Sequence, residues 1–271
     1  MSLLTRPRVR LAHLPTHLED GSRLLASIAE HHGIGAGDAR LAGTRLWIKR
    51  DDASGGPEAG NKIRKLEFLV ADAEAKGATA LITCGGLQSN HARATAVVAR
   101  RRGRGCVLLL RTTGSLGLAA GARTGNLLLD RLLGADVRLI TPADYRARLE
   151  KMSEVAEELR ARGERGYVIV EGGSDALGSF GYVEAMAELD AQRTALGEEP
   201  FDAVVLACGS GGTAAGAALG AGHTGVARAV WAMAVCDDVA YFSGLTERLI
   251  AEMRAQEPTL GAPAGLSIRD E

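Results

Sequence analysis

Short apolar runs alternate with amphipathic stretches almost from one end of the chain to the other. Residues 46–49, 80–84, 106–110, 137–140, 167–170, 203–207 and 230–235 have the length and apolar content of buried strands. Between them, apolar positions recur at three- and four-residue spacing. That spacing predicts helices over 61–76, 91–102, 125–133, 182–195, 213–220 and 241–254. In the first of these, Ile63, Leu66, Leu69, Val70 and Ala73 share one face. Pro142 stands near the start of a long polar helix, where the missing N–H is tolerated. Strands alternating with helices predict an α/β fold with a parallel sheet covered on both faces. No fixed-period repeat or low-complexity linker interrupts the pattern, and 271 residues suit about two domains.

Glycine-rich turns follow three of the strands: Gly85-Gly86, Gly172-Gly173 and Gly209-Ser210-Gly211-Gly212. In open α/β sheets ligands bind beyond the carboxyl ends of strands, so these turns are the expected walls of a site.

Composition narrows the classes. A hydrophobic content of 46% fits a folded globular chain. A net charge of −1 and 4% aromatic residues argue against a nucleic-acid or acidic-membrane surface. No apolar stretch is long enough to span a bilayer. Arg6, Arg8 and Arg10 are not followed by an apolar segment, so no signal peptide is read. Cys84, Cys106, Cys208 and Cys236 are scattered, with no C-x-x-C pair. They read as small buried thiols in a reducing, cytoplasmic compartment, with no disulfide framework and no metal site.

Three segments carry candidate chemistry. In Gly60-Asn61-Lys62-Ile63-Arg64-Lys65-Leu66-Glu67, Lys62 lies between a Gly/Pro-rich loop and a helix start. Most lysines so placed are simply solvated, and a cation is poorly placed at a helix N-terminus. The neighbouring Arg64 and Lys65 would favour the neutral, nucleophilic amine that can form an imine with an aldehyde cofactor. In Gly209-Ser210-Gly211-Gly212-Thr213, backbone N–H groups, a helix N-terminus and two hydroxyls can cradle a phosphate. A tight packed turn explains such a loop equally well. A dinucleotide fingerprint through Gly209, Gly211 and Ala214 ranks lower, because Asp237 and Asp238 lie too far on to be its ribose partner. In Gly85-Gly86-Leu87-Gln88-Ser89-Asn90-His91, Ser89 or Asn90 alone reads as a helix N-cap. Four polar side chains crowded together favour a site, with Asn90 able to donate to a phenolate and Ser89 able to carry a proton. His31 and His32 read as surface loop residues, and Arg111, Trp47 and Trp231 as structural. Glu171 and Asp175 flank a site loop with little to assign them a role.

With those segments, Gly125-Asn126-Leu127-Leu128-Leu129-Asp130-Arg131-Leu132-Leu133-Gly134-Ala135, Glu171-Gly172-Gly173-Ser174 and Val235-Cys236-Asp237-Asp238, the chain resembles the D-cysteine desulfhydrase / 1-aminocyclopropane-1-carboxylate deaminase family. That family belongs to the tryptophan-synthase-β-like, fold type II, pyridoxal-phosphate enzymes. The resemblance implies two three-layer α/β/α domains with mostly parallel sheets. The large cofactor domain would comprise 1–60 and 167–271, and the small domain 61–166. It implies that Lys62 carries pyridoxal 5'-phosphate, that Asn90 bonds its phenolic oxygen, and that Gly209, Ser210, Gly211, Gly212 and Thr213 hold its phosphate. Ser89 would be the substrate-side hydroxyl acting with Lys62 in catalysis, and Asn90 and His91 would stand with it at the substrate. His91 and the Gly-Ser-Gly-Gly-Thr loop tilt the resemblance toward the desulfhydrase branch.

The implied reaction is α,β-elimination from D-cysteine or a similar small amino acid, giving sulfide, pyruvate and ammonia. The alternatives are ring opening of 1-aminocyclopropane-1-carboxylate to 2-oxobutanoate and ammonia, or a truncated, inactive cofactor- or partner-binding protein. A homodimer is expected by family likeness. Relatives continue past a segment like Gly265-Leu266-Ser267-Ile268-Arg269-Asp270-Glu271 to a Gly-Tyr segment in the substrate pocket, a helix, and a loop that meets the pyridine nitrogen. The sequence ends at Glu271, so the resemblance implies a missing pocket wall, a missing partner for that nitrogen, and a sheet left partly uncovered.

Overall fold

The computed structural model describes residues 3–35, 38, 41–112 and 124–270. Near the N-terminus β1 (Leu18–Asp20) and β2 (Trp47–Lys49) pair antiparallel, with α1 (Ser22–His31) between them in sequence. There follow α2 (Lys62–Ala75), β3 (Ala80–Gly86), α3 (Asn90–Arg101), β4 (Gly105–Arg111), α4 (Gly125–Leu132), β5 (Asp136–Ile140), α5 (Pro142–Arg146), α6 (Arg148–Ala161) and β6 (Gly166–Val168). These strands form one parallel sheet in the order β5-β4-β3-β6. The chain continues through α7 (Ala176–Ala195), β7 (Phe201–Cys208), α8 (Gly212–Thr224), β8 (Ala227–Ala234), α9 (Val239–Gln256) and β9 (Gly265–Arg269). The last three strands make a second parallel sheet, β7-β8-β9.

The first sheet is buried on both faces, which is why its strands read as continuous apolar runs. Leu81, Leu108 and Leu110 meet Ile63, Leu66 and Leu69 of α2, with Leu127 of α4. On the opposite face Ile82, Val107 and Leu109 meet Met152, Val155 and Leu159 of α6. The second sheet differs. Val204, Leu206, Val230 and Leu266 pack in a core with Leu219 of α8 and Leu249 and Met253 of α9. On its other face Val205 and Trp231, paired in register, are exposed at 61% and 36%. Arg269 lies over the Trp231 ring, 4.1 Å from its centroid. Among the described residues this sheet therefore has two layers where three are expected.

Helix α2 belongs to both cores: Phe68 packs into the second while Ile63, Leu66 and Leu69 pack into the first. Small residues let α2, α7 and α8 approach closely. Gly181 of α7 lies against the Arg64 carbonyl, and Gly216 of α8 against the Ser179 carbonyl, so a side chain at either would strike backbone. Arg64, 2% exposed, is held by Asp51 at 2.8 and 2.9 Å and by Glu188 at 2.9 and 3.1 Å. Lys49 Nζ and Tyr182 Oη donate into the same pair of carboxylates. Burial would raise both carboxyls, but their hydrogen bonds to Arg64 outweigh it and hold them below the usual range. This network fastens the N-terminal segment to α2 and α7.

Several expectations are corrected. α1, β1 and β9 do not stand out in the apolar pattern, and His31 closes α1 where a loop is expected. The polar stretch from Pro142 is two helices, broken at Ala147. α7 starts at Ala176 instead of Tyr182, capped by Asp175, whose carboxylate accepts from Gly178 N. Three cysteines are buried, but Cys236 is exposed. Among the described residues no helix is long and apolar enough to cross a membrane.

Candidate active site

Strand β7 delivers Gly209 to Thr213 to the N-terminus of α8. Gly211 has φ +73°, a conformation that favours glycine, and no side chain caps the helix. Gly212 N is taken by Ser210 O and Ser174 Oγ, while the next two N–H groups of the first turn, those of Thr213 and Ala214, have no partner among the described residues and are left for a ligand. A Cβ on Gly212 would sit 2.8 Å from Ser174 Oγ and Ser179 Oγ and 2.9 Å from Lys65 Nζ. The loop is a backbone cradle that only hydrogen atoms leave open, and a buried amine lies directly beneath it.

That amine belongs to Lys65, which is fully buried and donates to Gly172 O at 3.2 Å and to Ser174 Oγ at 3.0 Å. Ser174 in turn joins Ser210 Oγ at 2.8 Å and accepts from Gly212 N at 3.3 Å. Burial, with the nearby Lys62 charge, holds Lys65 well below its ordinary value. Asp175 and Cys208 pull the other way without reversing the shift, and an anion in the cradle would add to that counter-charge.

Lys62 is the first residue of α2 and is only half-buried. Its Nζ donates to Asn61 Oδ1 at 3.1 Å, and Asn61 Nδ2 donates to Thr213 Oγ1 at 3.2 Å, so the lysine turn is tied to the cradle. The Lys62 pKa is lowered, chiefly by burial, while Cys208 and Glu171 pull the other way. Arg64 takes no part in this, because its guanidinium is locked against Asp51 and Glu188. The lowering expected at Lys62 from Arg64 and Lys65 thus comes from desolvation instead. Glu171 is fixed by the Tyr145 hydroxyl and by Arg148 Nε, which lies 3.1 Å away.

Ser89 caps α3: its Oγ accepts from Ala92 N at 3.1 Å, and its hydroxyl proton has no acceptor among the described residues. Asn90 is exposed at the first turn of α3. His91 is 3% exposed. Thr83 Oγ1 donates to Ile169 O at 2.8 Å, so the 3.0 Å contact between Thr83 Oγ1 and His91 Nε2 is donated by the ring. Burial and the charges of Lys62 and Lys65 push His91 well below its ordinary pKa, leaving it neutral.

The structure thus brings Lys62, His91 and the 209–213 loop into one electrostatic neighbourhood, with Ser89 and Asn90 at the adjoining helix start. Pyridoxal phosphate fits these residues: a glycine cradle over a buried amine for the phosphate, and a reachable, largely desolvated amine for the aldehyde. Lys65 and Ser174 escaped sequence reasoning as site residues. Lys65 was visible only as a like charge beside Lys62, and nothing in the local pattern places it under a loop that begins at residue 209.

A family profile described as "Pyridoxal-phosphate dependent enzyme" matches residues 36–268. The chain is 43% identical over 216 residues to the bifunctional D-cysteine desulfhydrase/1-aminocyclopropane-1-carboxylate deaminase, mitochondrial, of Arabidopsis thaliana, covering 79% of this chain and 54% of that relative. It is 42% identical over 218 residues to the D-cysteine desulfhydrase of Klebsiella pneumoniae (strain 342), covering 80% of this chain and 61% of the relative. A crystal structure described as that of the ACC deaminase homologue matches with a TM-score of 0.80 at 33% identity, covering 98% of this chain and 74% of that one. The chain therefore spans between 54% and 61% of the length of these two curated relatives. It belongs to the pyridoxal-phosphate dependent enzyme family and has the fold type II α/β architecture.

Proposed function

We propose that this family member carries pyridoxal phosphate on Lys62 and performs α,β-elimination on D-cysteine or a similar small amino acid, releasing sulfide, pyruvate and ammonia. The observation that carries the proposal is a reachable amine with a lowered pKa, hydrogen-bonded through Asn61 to a glycine cradle with a buried lysine beneath it. The names of the relatives support the choice of substrate.

When bound, pyridoxal phosphate supplies an aldehyde for attachment and a ring that stores the electron pair left at the substrate α-carbon. Lys62 would hold the group through Nζ. Its desolvated amine, with its pKa lowered by burial, would be suited to accept the α-proton. The backbone of Gly209, Ser210, Gly211 and Gly212, with the Thr213 hydroxyl and the α8 N-terminus, would hold the phosphate, and Lys65 would neutralise it from below. Asn90 would donate to the phenolic oxygen. Ser89 keeps its hydroxyl proton for the substrate side, with Asn90 beside it and His91 behind. A small domain over 61–166, a larger one over 1–60 and 167–271, a homodimer and a cytoplasmic setting belong to the same reading.

Ring opening of 1-aminocyclopropane-1-carboxylate is a second reading, favoured by the name of the Arabidopsis relative, which couples both activities. The test is to load the protein with the cofactor, reduce it with borohydride and map the labelled lysine by mass spectrometry. Label on Lys62, absent from Lys62→Ala, is expected, and label on Lys65 would sink the assignment. Sulfide and pyruvate from D-cysteine, against 2-oxobutanoate from the cyclopropane substrate, then separate the two reactions.

A further inference from the structure

We infer that Arg93 and Asn126 are positioning residues that fix the Asn90 amide with its Nδ2 turned toward the cofactor site. The inference rests on the reading of Asn90 as the donor to the cofactor's phenolic oxygen. Arg93 Nη1 lies 3.1 Å from Asn90 Oδ1 and 3.1 Å from Asn126 Oδ1. A guanidinium only donates, so the amide atoms facing it must be carbonyl oxygens. Asn126 Nδ2 then donates to Asn90 Oδ1 at 2.9 Å and to Gln88 O at 2.7 Å. Neither amide can be reversed without setting an N–H group against the guanidinium.

Asn90 Oδ1 thus accepts from two residues on two helices, α3 and α4. Asn90 Nδ2, by contrast, donates to nothing among the described residues. The orientation that leaves a donor free is the one a phenolate oxygen requires. Both anchors are themselves held. Arg93 Nη2 donates to Ala59 O at 2.8 Å, in the turn that delivers Lys62. Asn126 N donates to Gln88 Oε1 at 2.8 Å, and Gln88 Nε2 donates to Thr124 O at 3.3 Å. The first turn of α4 is therefore stitched to the 88–90 turn, and Arg93 links Asn90 to the lysine turn.

The test compares Asn126→Asp, Asn126→Ala, Asn90→Ala and the double alanine variant, each loaded with pyridoxal phosphate. A carboxylate at 126 keeps the size of the side chain but cannot donate to Asn90 Oδ1. It attracts Asn90 Nδ2 instead and turns the amide round. The readouts are the pH titration of the bound cofactor's absorption band and the cofactor dissociation constant, and neither requires turnover. Both Asn126 variants are expected to move the titration in the same direction as Asn90→Ala. They should weaken binding by about tenfold, the scale of one hydrogen bond to a charged oxygen. The double variant should go no further than Asn90→Ala alone, since the two residues act through one bond.

Asn126 variants that titrate and bind like the starting protein, while Asn90→Ala does not, overturn the positioning role and leave the Asn90 reading intact. An additive double variant overturns it as well. If Asn90→Ala itself behaves like the starting protein, the reading of Asn90 falls, and the inference with it. Failure of both Asn126 variants to fold, read by circular dichroism, would place the residue in the scaffold and also overturn it.

Discussion

Asp130 offers a stability test with a definite sign. It lies on α4 and is 1% exposed. Both its carboxylate oxygens are buried without a hydrogen-bond partner, as is Nε of Arg93. Burial lifts its pKa from 3.8 to about 7, only partly opposed by the Arg93 charge. Between those pH values the folded chain keeps a proton that the unfolded chain has lost. Stability therefore falls as pH rises from about 4 to about 7, by about 1.4 kcal/mol per pH unit from this group alone. Over that interval the cost reaches about 4 kcal/mol. Asparagine has the same shape and no charge. Asp130→Asn should therefore be more stable by about 4 kcal/mol at pH 8 and nearly equal to the parent at pH 4. Urea unfolding of both proteins at a series of pH values measures this, and taking the difference cancels the titration of every other carboxyl. A difference that does not change with pH would refute the reasoning. A variant less stable at pH 8 would show that the Asp130–Arg93 attraction outweighs desolvation.

Lys65→Met should weaken binding of inorganic phosphate, measured calorimetrically, by about tenfold or more, since a buried charged donor is lost. Because the Lys65 amine is held well below 10.5, the unfolded chain binds a proton that the folded one does not. The free protein should therefore gain stability as pH rises toward 10.5, and the methionine variant should lack that slope. Gly212→Ala should fold yet lose the cofactor on gel filtration, because its methyl would press on Ser174, Ser179 and Lys65, and retention of the cofactor would count against the cradle. Arg64→Met strands the buried Asp51 and Glu188 carboxylates and should cost about 3–5 kcal/mol near pH 7. Both carboxyls are held below their ordinary values, so that loss should shrink as pH falls through the acid range; an unchanged loss at low pH would exclude the ion network as its source.

The helices and central strands of the first sheet were legible because burial on both faces leaves an unbroken apolar signal. The 80–84 and 106–110 runs are seen as β3 and β4, extended by a residue or two at their ends. What failed has identifiable causes. The start of α7 holds Gly178 and Gly181, which read as loop, yet they are small because Gly173 O and the Arg64 carbonyl press against them. β9 alternates apolar and polar residues over only five positions, too few for a period to emerge. At the site, Lys62 stood out as a cation at a helix start, Ser89 and Asn90 as part of four crowded polar side chains, and the 209–213 loop as a glycine-rich turn between strand and helix. Lys65 and Arg64 did not, although they are neighbours with opposite fates: one lies beneath the cradle and the other in an ion network joining α2, α7 and the N-terminal segment.

The broken rules converge on one place. Lysines are unfavourable at the start of a helix, yet Lys62 and Lys65 both occupy the first turn of α2. α8 begins without a side-chain cap from its N-cap residue, and beyond Gly212 N, which donates to Ser210 and Ser174, its first N–H groups lack the partner that most helices supply. Arg93 and Asn126 leave the donor end of Asn90 unpaired. On the proposed reading one chemistry would meet all of them: a phosphate for the buried amine and the unpaired α8 N–H groups, an aldehyde for the reachable amine, and a phenolic oxygen for the exposed Asn90 amide. Three unrelated ligands would be needed to satisfy them separately. One molecule carrying all three groups on a single ring would satisfy them together. Lys62 and Asn90 lie at the N-termini of α2 and α3, which pack against the first sheet, and the 209–213 loop opens α8 on the second. Such a molecule would therefore bridge both cores, and binding it should raise the unfolding temperature more than phosphate alone at equal occupancy.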